Sequence, residues 1–128
     1  MSYTSRARLR LLTGIAALAL PLLAARSDPL AGRVAGTPAN CITLSSTNGP
    51  SIIDDHTILY TQGAGGRVWK TGPVGACPSL QPLNTLIVEV YGGQLCRNDR
   101  FRVITPGLTI PSAYCRFTEF TPYDRAKK

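Results

Sequence analysis

The longest run of period-two alternation in this chain, Thr85-Leu86-Ile87-Val88-Glu89-Val90-Tyr91, is seven residues long and ends at Gly92-Gly93. Side chains that alternate apolar and polar line opposite faces of a strand, and a strand of that length buries one face only. The other candidate elements are shorter still. Cys41–Ser45 alternates with Ile42 and Leu44 on one face. Thr57–Thr61 is β-branched and aromatic, and Gly63–Gly66 separates it from a returning hairpin strand, Arg67–Thr71. Phe101–Thr105 stops at Pro106-Gly107, and a last run extends from Tyr114 to Thr121, with Cys115 and Phe117 on one face. No window offers a capped amphipathic helix of ordinary length. Gly and Pro supply 22 of the 128 residues, which suits frequent tight turns and disfavours a helical bundle. The expected fold is therefore all-β: a small antiparallel β-barrel or β-sandwich of about six short strands.

Four cysteines, Cys41, Cys77, Cys96 and Cys115, lie in the same part of the chain. No Cys-x-x-Cys pair is present for zinc or dithiol chemistry, and a single histidine supplies little for a mixed site. An even count in a short exported chain reads as two disulfides, for which three connectivities exist. The expected one is Cys77–Cys96 with Cys41–Cys115, closing one local excursion and tying the first strand to the last.

The N-terminus points to export. Met1–Arg10 carries Arg6, Arg8 and Arg10 without an acid, and Leu11–Ala25 is apolar apart from Thr13, Gly14 and Pro21. A bilayer span needs about 20 apolar residues, so a secretory signal peptide over 1–25 is expected ahead of an uncleaved anchor. Residues 26–40, rich in Gly, Pro and Ala, read as a flexible leader, 41–122 as the single domain, and 123–128 as a basic tail. Cleavage after Ala25 would leave 11 basic and 7 acidic residues, a net charge of +4 with no remaining membrane span. That excess is too ordinary to imply nucleic acid.

The order Cys41-Ile42-x-Leu44, Ile53-Asp54-Asp55-x-Thr57-Ile58-Leu59, Val68-Trp69, Cys77-Pro78-x-Leu80, Leu95-Cys96-x-x-Asp99 and Cys115-x-Phe117-x-x-Phe120-x-Pro122 resembles a family of small exported proteobacterial proteins of unknown function. The resemblance covers Cys41 to Pro122 and implies a signal peptide, a compact β-rich domain and a periplasmic address. It implies no activity. The Gly-rich loop Gln62–Gly66 departs from the pattern.

Candidate chemistry is sparse. Asp54-Asp55-His56 brings two carboxylates to the one histidine, which would suit a small hydrolase or a metal-binding protein. Carboxylates adjacent on a strand point apart, however, and Asp54 and Asp55 read better as turn formers. Asp99 reads the same way. Ser45, Ser46 and Ser51 lack a nucleophile elbow, and Gly63–Gly66 lacks the Lys-Ser/Thr of a phosphate loop. Arg100, Arg102 and Arg116 alternate with apolar residues, so pairing of their strands would line one face with guanidinium groups facing an anionic ligand. Tyr60, Trp69 and Tyr91 are a candidate aromatic patch for a sugar or peptide. The expected function is a non-enzymatic periplasmic binding or interaction module of the cell envelope. Its partner would be an envelope protein or an anionic ligand, with no cofactor and no metal.

Overall fold

The computed structural model describes residues 27–128, so the expected signal peptide lies outside the described residues. Ten strands follow in order: β1 (Arg33–Ala35), β2 (Cys41–Thr43), β3 (Thr47–Asp54), β4 (Thr57–Gln62), β5 (Arg67–Thr71), β6 (Thr85–Val88), β7 (Gln94–Cys96), β8 (Arg100–Ile104), β9 (Cys115–Arg116) and β10 (Thr121–Arg125). Every pairing is antiparallel. A five-stranded sheet has the order β1-β10-β5-β4-β3, a pair joins β2 to β7, and a three-stranded sheet has the order β6-β8-β9. The all-β, disulfide-stapled expectation holds, with ten strands among the described residues in place of about six and no closed barrel.

One core joins the three sheets. Ile58 and Tyr60 of β4, Ile42 of β2, Leu95 of β7 and Phe101 and Val103 of β8 are buried together with Leu80, Cys77, Phe117 and Phe120. Phe117 and Phe120 belong to no strand. They sit on the crossing between β9 and β10, each held by a single β-bridge, Phe117 to Pro73 and Phe120 to Ala39. Among the described residues, the strands, the core and both disulfides fall within 33–125, so this segment carries its own hydrophobic interior and folds as a unit.

Three expectations need correction. The disulfides are Cys41–Cys96 and Cys77–Cys115, an interleaved pattern, not Cys77–Cys96 with Cys41–Cys115. Strand pairing decides this: β2 and β7 align with Cys41 directly opposite Cys96. Cys115 is carried to Cys77 by the Pro73–Phe117 bridge and the Val74 N–H donated to the Arg116 carbonyl. Residues 26–40 are not simply a leader, because β1 pairs with β10. Nor is the C-terminal end simply a tail, since β10 runs through Arg125 in the interior of the sheet. Side-chain contacts tie β10 to β5 and β1 to the β4–β5 loop. Arg67 donates through Nε and Nη2 to both Asp124 oxygens at 2.7 and 2.8 Å. Arg33 donates to the Gly65 and Gly66 carbonyls at 2.8 and 3.1 Å.

Candidate functional site

The β8 sequence Arg-Phe-Arg-Val-Ile turns Phe101 and Val103 into the core, which leaves Arg100, Arg102 and Ile104 on the outer face of the three-stranded sheet. Register adds the rest. Arg116 of β9 stands directly opposite Arg100, and Ile87 of β6 directly opposite Arg102. Like charges directly opposite each other repel, so the arrangement needs a compensating contact. Glu89, just past β6, provides it: Arg100 Nη2 donates to Glu89 Oε2 at 3.0 Å, and Tyr114 donates its hydroxyl to Glu89 Oε1 at 3.1 Å. The Tyr114 ring then receives both neighbouring cations, with the Arg100 and Arg102 guanidinium carbons 4.6 and 4.8 Å from its centroid.

The other two arginines are held by neutral groups. Arg102 donates Nε to the Ser112 carbonyl at 2.9 Å, and Arg116 donates Nη1 to the Asn98 carbonyl at 3.2 Å. A carbonyl orients a guanidinium without cancelling its charge. With Glu89 balancing Arg100, the face retains two positive charges, and Arg102 keeps both terminal nitrogens for a ligand. The arrangement is a preorganised cationic surface around an aromatic ring, able to take a phosphate or carboxylate group.

The structure brings the three expected arginines together, and of the expected aromatic patch it pairs Tyr60 with Trp69 at the core while Tyr91 stands apart. Tyr60 is buried in the core, edge-to-face with Phe120, and burial pushes its phenol far above the ordinary pKa. Trp69 is its cross-strand partner and donates its indole N–H to Gln62 at 2.9 Å. Tyr91 stands exposed at the turn before β7. The aromatic residue of the face is Tyr114, which sequence reasoning does not single out. Its spacing of two from Arg116 is the available signal, since residues i and i+2 of an extended segment share a face.

Asp54, Asp55 and His56 occupy the β3–β4 turn. Asp54 Oδ1 accepts the His56 backbone N–H at 2.8 Å, and His56 Nε2 lies 3.3 Å from Asp55 Oδ1, with both side chains exposed. Slight desolvation raises the Asp54 pKa, but hydrogen bonds from His56 and Thr57 outweigh it and leave the carboxyl below the usual aspartate value. His56 also lines a shallow polar cleft of about 240 Å³ with Lys70, Glu119 and Tyr123, and neither aspartate lines it. Among the described residues, no three His, Cys, Asp or Glu side chains gather as a metal site. Asp99 Oδ2 accepts the Cys96 N–H at 2.7 Å and so closes the turn into β8. Asp54→Ala should cost about 1 kcal/mol in a denaturant melt, the usual size of a lost hydrogen bond. His56→Ala should stay within about 0.5 kcal/mol of the parent. Equal losses for the two variants would show that the aspartate bond is not what holds the turn.

No protein-family model, no curated protein and no solved structure matches this chain.

Proposed function

We propose that the protein is an exported, non-enzymatic binding module of the cell envelope whose outer face on β6, β8 and β9 takes an anionic partner. The observation that carries this reading is the way Arg102 and Arg116 are fixed by carbonyl oxygens, so that their positions are set while their charges stay available. Two disulfides in a chain of this size fit an oxidising, extracytoplasmic compartment. Among the described residues no helix is long and apolar enough to cross a membrane. Membership of the family of small exported proteobacterial proteins belongs to the same proposal and rests on the order of motifs around the cysteines.

The test compares two variants with the same change in charge, using heparin as a soluble polyanion. Arg102→Ala with Arg116→Ala should weaken binding about tenfold at low salt, and the deficit should shrink as ionic strength rises. Arg125→Ala with Lys127→Ala, at the C-terminal end, should change it less than about twofold, because these residues flank no such face. Equal losses from both pairs would reduce the effect to net charge and overturn the proposal.

A further inference from the structure

Two turns leave the three-stranded sheet from the same end, because Thr85 opens β6 directly opposite Ile104, which closes β8. Both are built on proline. In Thr105-Pro106-Gly107-Leu108, the Leu108 N–H donates to the Thr105 carbonyl at 3.0 Å, and Gly107 takes φ +84°. In Gln81-Pro82-Leu83-Asn84, the Asn84 N–H donates to the Gln81 carbonyl at 3.2 Å, and the corresponding position is Leu83 with φ +72°. A turn with positive φ at its third residue favours glycine, and a branched aliphatic side chain there strains the backbone. Yet the Leu83 side chain makes almost no contact in return: it is 92% exposed. Ile110 and Leu108, on the loop leaving β8, are 80% and 61% exposed.

A strained residue that presents a bare aliphatic side chain to water calls for something to receive it. Leu83 and Pro82 also form one wall of an apolar groove of about 560 Å³ with Pro29, Ile52 and Ile53, which broadens the apolar end of the molecule. Charge identifies the recipient. Neither turn contains an acidic residue, and the returning loop passes Ser112, whose carbonyl holds Arg102. The Asp28 carboxylate near the groove accepts the Leu30 N–H at 2.9 Å and keeps its charge, which confines the docking surface to the two turns. Separate aliphatic side chains projecting from two loops, backed by arginines and Tyr114, match the layering of an anionic bilayer surface. Hydrocarbon receives the tips, and phosphate meets the cations behind them. A rigid protein partner would instead need a matched pocket for each projecting side chain.

We infer that Leu83, Leu108 and Ile110 form a membrane-docking tip that seats the protein on an anionic lipid surface, with Arg102 and Arg116 meeting the headgroup phosphates. This inference rests on the anion-binding reading of the outer face and names its partner.

The test uses a chain starting at Arg26, which keeps all ten described strands, the core and both disulfides. It is sedimented with vesicles of equal parts phosphatidylglycerol and phosphatidylcholine, or of phosphatidylcholine alone. The parent should bind the anionic vesicles at least about tenfold more tightly than the neutral ones. Leu108→Ser with Ile110→Ser should lower binding to anionic vesicles at least about tenfold while heparin binding stays unchanged. Leu83→Gly should also weaken vesicle binding with no fall in melting temperature, since glycine accepts the positive φ. Arg102→Ala with Arg116→Ala should weaken both vesicle and heparin binding. Tip variants that bind anionic vesicles like the parent overturn the docking tip, while a loss with the arginine pair in the same assay leaves the anion-binding reading standing. Loss of neither probe with the arginine pair removes both. A parent that ignores vesicles and sediments as a dimer, which Leu83→Gly converts to a monomer, shows the tip's recipient to be a second copy and overturns the inference.

Discussion

A protein with Cys41 and Cys96 both replaced by alanine should lose about 4 kcal/mol of stability in an equilibrium denaturant melt and melt roughly 20 °C lower. The expectation follows from the sequence separation of 55 residues that this disulfide closes. Cross-linking so long a loop removes much of the freedom of the unfolded chain, while the folded chain already holds the two residues opposite each other in β2 and β7. The second disulfide closes 38 residues, and loop entropy depends only logarithmically on length, so its loss should cost nearly as much. Cys77 is buried and Cys41 only partly so. Replacing Cys77 therefore adds a packing loss to the entropic one, and the Cys77–Cys115 deletion should be at least as damaging despite the shorter loop. A loss below about 1 kcal/mol for the Cys41/Cys96 variant would mean that the unfolded chain is already compact around these strands. Peptide mapping without reduction checks the connectivity directly: recovery of a Cys77–Cys96 peptide would contradict the structure.

The cysteine pairing marks the boundary of what the sequence discloses. Strands β4, β5 and β8 are legible within a residue or two, because their alternation is strong and glycine or proline stops them. The partner of a strand is a different matter. Cys77 and Cys96 are near in sequence, and a local hairpin between them is the economical expectation. The three residues Gln94–Cys96 instead pair with Cys41–Thr43, a long-range register that no periodicity encodes. Strand β10 is hidden for another reason. Pro122 lacks an N–H and argues against an interior strand, yet it lies buried there, opposite Trp69 and accepting the Gly36 N–H at 2.7 Å.

The candidate site divides along the same line. Arginine alternation is a local property: Arg116 joins the face only through the β8–β9 register, but Arg100 and Arg102 are readable as one face from the order of residues alone. The aromatic residue among them is not. Tyr60 and Tyr91 are alike in composition, but one is buried in the core and the other exposed at a turn, a difference that only the assembled sheets create. Likewise, Leu83, Leu108 and Ile110 look ordinary in sequence. Their exposure, and the positive φ of Leu83, become visible only when both proline turns are seen at one end of the β6–β8 pair.

The second large effect is expected at Phe117. Its side chain is fully buried, with its ring centroid 4.5 Å from that of Phe101 and 5.8 Å from that of Phe120. Phe120 in turn meets Tyr60 edge-to-face at 6.4 Å. This chain of rings runs from β8 in the three-stranded sheet to β4 in the five-stranded one, so Phe117 is the link through which the two sheets share a core. Phe117→Ala should therefore destabilise by about 3–5 kcal/mol, because the hydrocarbon contact is lost and the neighbours, Phe101 held in β8 and Phe120 held by its bridge to Ala39, cannot close the cavity. Against the roughly 5–15 kcal/mol available to a small domain, that loss should leave a substantial unfolded population near physiological temperature. Phe117→Leu, which keeps most of the volume, should cost less than about 1.5 kcal/mol. The backbone bonds at this residue, from Asn98 N–H to the Phe117 carbonyl and from Phe117 N–H to the Asp99 carbonyl, survive both substitutions, so the contrast isolates the ring. It also bears on binding, since Phe101 sits between Arg100 and Arg102 and Phe117 directly follows Arg116. A partly emptied core behind them should loosen the arginines before the domain unfolds, and heparin binding should then fall at temperatures below the melting transition. If Phe117→Ala and Phe117→Leu melt together, the aromatic chain is not what couples the sheets, and the backbone bonds at the β9–β10 crossing, from Val74 N–H to the Arg116 carbonyl and from Thr118 N–H to the Gly72 carbonyl, must hold them in register.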